Sequence, residues 1–360
     1  MSAMDTITHG LLGATLAQLG FRQRLGWGAT AAAVAAAVAP DLDLVVAPVL
    51  RGLGLNGNGL GHWIEHRGLT HSLVLVPIFA LAIAAIWWVV RRRRSGRIAP
   101  PIPAPFWFLY ACVLLAYASH PLLDWCTPYG TELFAPLSDA RLSCDVVPVV
   151  DVIFSGILVL TLLGCFLVRR AAAARGMRAS FIIGWAGAIL SVAYLCGGRV
   201  LHDRAIAQAK SLVPQATVVR AEAYPALGSI LFWRVVLETD RDWIAMAVRP
   251  LSCSPPPPHE TAPQGSGPWV QRARHLPEVR EYERFAMGLV RTSAYDENGR
   301  HVVEFDDMRY AMRPQEVRSL WPLRVTFDDS GEAVKIERLS LLRGRTWWAI
   351  LRDAWENLTG

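Results

Sequence analysis

Long apolar runs are concentrated in residues 1–200 of the chain. Five of them meet or approach the length of about 20 apolar residues that a helix needs to cross the hydrocarbon core of a membrane. They lie near residues 27–48, 71–90, 106–123, 149–168 and 180–198. The shorter, glycine-rich segment 7–20 is either a tilted span or a half-inserted helix packed against the others. The pattern predicts an α-helical membrane domain of about six transmembrane helices over residues 1–200.

Beyond residue 200 the pattern changes to short alternating stretches of the kind found in strands. The stretches are Ser229–Leu237, Trp243–Val248, Arg284–Ser293, His301–Phe305 and Leu323–Phe327. Turn sequences at Asp296–Gly299 and Asp328–Gly331 suit hairpins. We therefore expect a small antiparallel β-rich soluble domain over residues 201–343.

The tail over residues 344–360 places apolar side chains, among them Trp347, Trp348 and Trp355, near one face of a predicted amphipathic helix. Such a helix either lies in the membrane interface or packs on the β domain.

Composition supports a membrane location. Hydrophobic residues make up 53% of the chain and charged residues only 18%, whereas a soluble domain usually carries about 25% charged residues. The net charge of +6 does not indicate nucleic-acid binding, because the arginines stand in short clusters between apolar runs and no recognition motif accompanies them. We expect membrane lipid, and not nucleic acid, as the partner.

The arginine clusters predict the orientation of the helices. They are Arg22 with Arg24, Arg91–Arg94 with Arg97, and Arg169, Arg170, Arg175 and Arg178. Loops rich in arginine stay in the cytoplasm. The loops 41–70 and 124–148 and the C-terminal region then face the other side, which in a bacterium is the periplasm. We expect a multi-pass protein of the cell inner membrane.

Four short patches hold most of the ionisable residues of the first half. They are Thr6–Gly10 with His9, Ala39–Asp43 with Asp41 and Asp43, Glu65–Ser72 with His66, Arg67 and His71, and Ser119–Gly130 with His120 and Asp124. His120 and Asp124 are four residues apart, so both project from one helix face and can share a metal ion. We expect Pro40 to end its helix and to leave Asp41 and Asp43 extended and pointing the same way. Two such close carboxylates repel each other unless a cation lies beside them.

The orientation predicted from the arginines places all four patches on the outer face of the membrane. Ionisable residues at membrane depth are costly and usually functional, so the agreement indicates one metal site. Ligation by His and Asp suits zinc, manganese or iron, and we favour zinc. The ligands exceed the demand of one tetrahedral ion, which leaves room for more than one divalent metal.

Cysteine usage argues against a cysteine-based zinc site or a thioredoxin motif, because none of the six cysteines forms a CxxC pair. Cys126 and Cys144 fall in one predicted loop. They form either a disulfide, if that loop faces an oxidising compartment, or two free thiols.

At the four patches the chain resembles the membrane-bound metal-dependent hydrolase family, also called YdjM-like or LexA-regulated inner-membrane hydrolases. The resemblance covers about residues 1–165 and rests on His9-Gly10, Pro40-Asp41-Leu42-Asp43, His66 to Ser72, and Ser119-His120 through Asp124 to Gly130. It implies an inner-membrane hydrolase with a remote kinship to zinc-dependent phospholipases C and single-strand-type nucleases. It also implies ligands, or residues next to ligands, at His9, Asp41, Asp43, His66, His71, His120 and Asp124. Asp151 matches as an additional ligand or a ligand contact, and Glu65 would lie just outside the ligands.

The reaction expected from these residues is attack of metal-activated water on a phosphodiester, in a phospholipid or a lipid-linked phosphate. Asp43 or Asp124 would act as the base. Arg67 would hold the anionic group, because its planar fork suits phosphate, or it would form a loop salt bridge. The alternative for the whole protein is a non-catalytic metal-binding membrane protein, in transport or as an envelope scaffold. Transport sites lie near the bilayer midplane, whereas these patches lie at helix ends.

Overall fold

The computed structural model describes residues 2–44, 67–94, 104–171, 173–252 and 258–341. The chain divides into two compact units, Met1–Gly197 and Gly198–Gly360, and the division falls within a long helix. The first unit is helical and the second is rich in β-structure. The predicted C-terminal helix over residues 344–360 lies outside the described residues.

Seven α-helices are described, and the four patches lie on or next to them. They are α1 (Ser2–Ala17), α2 (Phe21–Leu25), α3 (Trp27–Val38), α4 (Val76–Arg94), α5 (Phe106–Trp125), α6 (Val152–Ala171) and α7 (Ala173–Leu212). Two short 3-10 turns, Pro40–Leu42 and Leu69–His71, follow α3 and precede α4. They carry the second and third patches.

Among the described residues, three segments are long and apolar enough to cross a membrane: Phe106–Trp125, Val152–Ala171 and Arg175–Leu212. The six spans that the apolar pattern predicts are therefore not confirmed. α1 and α3 contain 16 and 12 residues. At 1.5 Å per residue they reach about 24 and 18 Å, which is less than the hydrocarbon thickness of about 30 Å. α4 has 19 residues, but it ends in four arginines.

Small residues allow α1 and α3 to approach closely. A Cβ atom added at Gly13 would lie 2.6 Å from Cβ of Ala37 and 2.7 Å from the carbonyl oxygen of Ala33. Ala29, Ala33 and Ala37 of α3 are fully buried. Glycine and alanine at a helix crossing permit this backbone contact, and it brings the middle of α1 beside the end of α3.

The second unit contains two four-stranded antiparallel sheets, each with its strands in chain order. The first comprises β1 (Val218–Pro225), β2 (Trp233–Thr239), β3 (Asp242–Val248) and β4 (Glu260–Pro263). The second comprises β5 (Val290–Glu297), β6 (Arg300–Asp307), β7 (Leu323–Phe327) and β8 (Ala333–Arg338). Two helices, α8 (Pro268–Arg274) and α9 (Pro277–Phe285), contribute to the core of the second sheet. The antiparallel β-structure that the sequence predicts is confirmed, and it forms two sheets.

The predicted strand Arg284–Ser293 is wrong over its first half. Residues 284 and 285 end α9, and β5 begins only at Val290. Val279, Tyr282 and Phe285 are buried, and their spacing of three residues places them on one helix face. Gly288, with φ +74°, makes the turn into the strand.

Candidate metal centre

His9 lies in the middle of α1 and is 1% exposed. Its Nε2 atom is 3.2 Å from Oδ1 of Asp124, and its ring stacks on that of His120 with the centroids 3.6 Å apart. Thr6, one helical turn earlier, donates its hydroxyl hydrogen to Oδ2 of Asp41. One face of α1 therefore supplies an imidazole and a hydroxyl to the same cluster.

The two aspartates after α3 do not lie in the extended segment that the sequence predicts. Pro40 begins a 3-10 turn, and Asp43 has helical dihedrals of φ −56° and ψ −35°. Proline is well tolerated at the first position of a helical turn, so the chain continues to coil. With three residues per turn, side chains two apart point in different directions. Asp41 faces Nε2 of both His71 and His120, whereas Asp43 faces Nδ1 of His71.

Thr70 and Asp43 hold the ring of His71 in one orientation. Thr70 donates its hydroxyl hydrogen to Oδ2 of Asp43 over 3.1 Å. The hydroxyl oxygen of Thr70 lies 2.9 Å from Nδ1 of His71. Because the hydroxyl hydrogen is donated to Asp43, this oxygen accepts the hydrogen on Nδ1. Burial lowers the pKa of His71 to about 4, so the ring is neutral near pH 7. Nε2 of the neutral ring then carries a free lone pair.

His120 and Asp124 lie one turn apart on α5, and both point into the cluster. The carbonyl oxygen of Ala37 can only accept a hydrogen bond, so Nδ1 of His120 donates to it. Nε2 of this ring in its neutral form also carries a lone pair. The spacing of four residues therefore places both side chains on one face of α5, as the sequence predicts.

Four potential ligand atoms converge at the centre of the cluster. The Nε2 atoms of His71 and His120 are 3.0 Å apart. Oδ1 of Asp41 lies 3.7 and 3.3 Å from these two nitrogens, and Oδ2 of Asp124 lies 3.2 and 3.5 Å from them. Ligands bound tetrahedrally to zinc at about 2.0–2.1 Å are about 3.3–3.4 Å from one another. The five distances bracket this value.

Hydrogen bonding gives a second reason to place a cation here. Asp124 is 1% exposed, and its two carboxylate oxygens lie 3.0–3.5 Å from nitrogens of Arg67, His9, His71 and His120 without meeting the angular requirement of a hydrogen bond. A cation bound between these groups would give the buried carboxylate a direct ligand bond. Two overlapping groups of side chains have the spacing of metal ligands, His9–His120–Asp124 and Asp41–His71–His120. Imidazole nitrogens and carboxylate oxygens at this spacing fit a divalent cation such as zinc.

Asp41 is ionised, as a metal ligand must be. Burial alone would raise the pKa of its carboxyl group, but hydrogen bonds with His120, His71 and Thr6 outweigh burial and hold the pKa well below its usual range. The side chain retains 11% exposure, so Asp41 lies at the edge of the cluster that is open to its surroundings.

Arg67 is 2% exposed and has a positive φ of 67°. One nitrogen of its guanidinium group lies 3.0 Å from Oδ1 of Asp124, and another donates to Oγ1 of Thr127 over 2.7 Å. The group also stacks over the ring of Tyr129, with Cζ 4.7 Å from the centroid. This geometry favours a buried ion pair with Asp124 over a phosphate-binding group that faces solvent.

The remaining predicted residues are not brought into the cluster. Asp151 caps α6 by accepting a hydrogen bond from the backbone N–H of Phe154, and its other oxygen accepts from the hydroxyl of Tyr194, each over 2.8 Å. Glu65 and His66 lie outside the described residues.

Sequence reasoning assigned no role to Thr6, Thr70 or Thr127, each of which makes a hydrogen bond within or beside the cluster. Their positions in the sequence could have revealed them, because each threonine stands within three residues of a predicted ligand. The carbonyl oxygen of Ala37 left no such signal, since every residue has one.

In the comparison with protein families, a family model described as YdjM inner membrane protein matches residues 4–204. This range includes nearly all of α1, the whole of α2 to α6, most of α7 and every residue of the cluster. Comparison with curated proteins gives no match, and comparison with solved structures gives none either.

Proposed function

The chain belongs to the YdjM inner membrane protein family, and from this premise we propose that it is a membrane-bound metal-dependent hydrolase acting on a phosphodiester of a phospholipid or lipid-linked phosphate. The observation that carries the proposal is the convergence of two carboxylate oxygens on two Nε2 atoms: the nitrogens are 3.0 Å apart, and each oxygen lies 3.2–3.7 Å from both of them. Such a set binds one zinc ion, with Asp41, His71, His120 and Asp124 as its ligands.

Exposed apolar side chains beside the cluster support a lipid substrate. Ile7, Leu42 and Leu69 are 61%, 58% and 55% exposed. Each is adjacent in sequence to a residue of the cluster: Ile7 to Thr6, Leu42 to Asp41, and Leu69 to Thr70. Large apolar side chains at the rim of a polar site suit a substrate that has acyl chains beside a charged head group.

The roles of the protein groups follow from their positions. A bound zinc ion would supply a Lewis acid that activates water and stabilises phosphoryl oxygens. Asp43 is 15% exposed, and we assign it the role of base, which removes a proton from the attacking water. Asp124 is too deeply buried for that role. Arg67 positions Asp124 through their ion pair, and Thr70 positions His71.

We further propose that the cluster and the β-rich unit face the periplasm, and that the protein crosses the inner membrane several times. The support is the distribution of arginine between the apolar runs.

A second candidate function is a non-catalytic metal site in a transport or scaffold protein. It is favoured by the number of protein ligands, because four protein ligands close a tetrahedral zinc site, whereas catalytic sites keep a position for water. In a catalytic site, Asp41 would bind zinc in the resting protein and would be the ligand that water displaces during turnover, since it lies at the open edge and makes the longest of the five contacts.

The test uses the full chain purified in detergent, with metal content measured by mass spectrometry. We expect about one zinc ion per wild-type chain, and less than about a tenth of that in Asp41→Ala and His120→Ala, because each loses one of four ligands. His275→Ala is the matched control, since His275 is an exposed histidine in the second unit. Wild-type protein without metal, or ligand variants with full metal content, would contradict the metal site.

Hydrolysis is measured separately on phosphatidylglycerol vesicles and on bis(p-nitrophenyl) phosphate. The proposal predicts turnover that chelation abolishes and zinc restores. Asp43→Asn should keep its zinc and lose at least about tenfold in kcat, as expected for loss of a general base. Stoichiometric zinc without turnover on either substrate would favour the non-catalytic function.

A further inference from the structure

Two cysteines lie beside each other directly after α5. Cys126 follows the last residue of that helix and is buried, and Cys144 is partly buried. Their backbones are joined by hydrogen bonds: the N–H of Cys144 donates to the carbonyl oxygen of Trp125 over 2.8 Å, and the N–H of Val146 donates to that of Cys126 over 2.9 Å. The chain segments that carry the two thiols are therefore held in register.

The side chains of the two cysteines also meet. The thiol of Cys126 is hydrogen-bonded to the thiol of Cys144. The more exposed Cys144 is the thiol that an external reagent reaches first.

We propose that Cys126 and Cys144 form a disulfide in the native protein and that this bond fixes the segment after α5 against the segment that contains Cys144. The inference rests on the periplasmic orientation proposed above, because disulfides persist in oxidising compartments. It does not depend on the metal or on hydrolysis.

The reaction is two successive thiol–disulfide exchanges with an oxidised dithiol protein of the cell envelope. The Cys144 thiolate attacks one sulfur of the oxidant, forming a mixed disulfide and releasing one thiolate of the oxidant. The Cys126 thiolate then attacks the sulfur of Cys144 and releases the second. The two cysteines lose two electrons and two protons in total, and the oxidant gains them as two thiols.

The consequence of this bond lies at Asp124, two residues before Cys126. Thr127, directly after Cys126, donates its hydroxyl hydrogen to the carbonyl oxygen of Asp124 over 2.8 Å and accepts a hydrogen bond from Arg67. A disulfide at position 126 restrains the segment through which Asp124 and Arg67 are held together.

The experiment counts thiols in the full chain. Cells of a bacterium with an oxidising periplasm are quenched with acid, and the protein is unfolded in detergent and labelled with a maleimide polymer, with and without prior reduction. We expect four labelled cysteines before reduction and all six after it. Cys126→Ser and Cys144→Ser should each show five under both conditions. Peptide mapping should link residues 126 and 144, and reduction should lower the thermal midpoint of the purified protein.

Six labelled cysteines before reduction would overturn the proposal, and so would a bond from either residue to Cys196. Cys112→Ser is the matched control, because Cys112 is buried within α5, and it should lose one label while keeping the difference of two. Zinc content and turnover of the same preparations are measured in parallel. A missing disulfide in protein that binds zinc and turns over would overturn this inference alone.

Discussion

The carboxylate of Asp124 faces four side chains that carry or can carry positive charge, namely His9, Arg67, His71 and His120. Of these, Arg67 keeps its charge at any physiological pH, and it is buried together with Asp124. A neutral side chain at position 124 would leave a buried cation without its counter-charge, at a cost of about 3–5 kcal/mol. At the scale of the residue, the side chain at position 124 therefore determines both the stability of the folded protein and the binding of metal.

We expect Asp124→Asn to lose its zinc and to unfold at a clearly lower temperature than the wild type in the same detergent. Asp41→Asn is the matched variant: it removes an equal charge from the cluster, but Asp41 is partly exposed and its partners are histidines and a threonine. It should lose zinc with a smaller change in the thermal midpoint, and both are compared after chelation. Equal midpoints for the two apo variants would contradict the structural role of the Asp124–Arg67 pair.

Thr70 offers a second test at this scale, because it sets the orientation and tautomer of a ligand without binding metal itself. Groups that hold a histidine ligand in this way contribute about 10–100-fold to metal affinity. Thr70→Val keeps the shape and removes the hydroxyl, so its zinc affinity should fall by that factor. Thr70→Ser should restore it. Affinities are measured by competition with a zinc chelator, and an unchanged affinity in Thr70→Val would exclude the positioning role.

At the scale of the element, the contact between α1 and α3 decides whether His9 reaches the other patches. Gly13 stands at that contact, and even a methyl group there would lie within 3 Å of Ala37 and of the backbone of Ala33. We expect Gly13→Val to push the helices apart, to lower the thermal midpoint and to reduce the zinc bound per chain. The matched control is Gly156→Val on α6, where an added Cβ meets nothing within 4 Å. Equal effects of the two substitutions would contradict the close crossing.

Local patterns predicted the elements well where one periodicity decides the outcome. The helical register of His120 and Asp124 followed from their spacing alone, and the alternation beyond residue 200 predicted antiparallel strands. The prediction of an extended segment after Pro40 was wrong. Proline at the first position of a 3-10 turn is as compatible with continued coiling as with the end of a helix. The number of spans was not confirmed because an apolar run does not show where its helix ends.

Contacts between distant positions were beyond sequence reasoning. The pairing of Arg67 with Asp124 joins residues 57 positions apart, and no local pattern encodes it. The same holds for the stacking of His9 on His120. Both depend on how α1, α3 and α5 pack. The identity of the ligands followed from the patches, whereas the division between ligands and the residues that orient them needed the structure.

At the scale of the whole molecule, four arginines, with at least one from each cluster, lie at the end of the helical unit opposite to the metal centre. Arg22 contacts Thr30, Arg24 contacts Phe108 and Arg169 contacts Gln18, and the guanidinium group of Arg91 lies beside Gly28. These contacts involve the starts of α3 and α5, whereas Asp41 follows the end of α3 and Asp124 lies near the end of α5. α3 alone separates the two ends by about 18 Å. If positive charge stays in the cytoplasm, the cluster faces outward.

This separation leads to a topology prediction that needs no assumption about chemistry. Alkaline phosphatase, which is active only in the periplasm, should be active when fused after Gly360 and inactive when inserted within residues 95–103, which directly follow Arg91–Arg94 and contain Arg97. Green fluorescent protein exported in an unfolded state does not fluoresce in the periplasm, so it should give the reverse result at the two sites. Matching protein levels by immunoblot controls for expression. A fluorescent, phosphatase-negative C-terminus would place the metal centre in the cytoplasm, and a zinc site that still formed there would separate the ligand geometry from the proposed orientation.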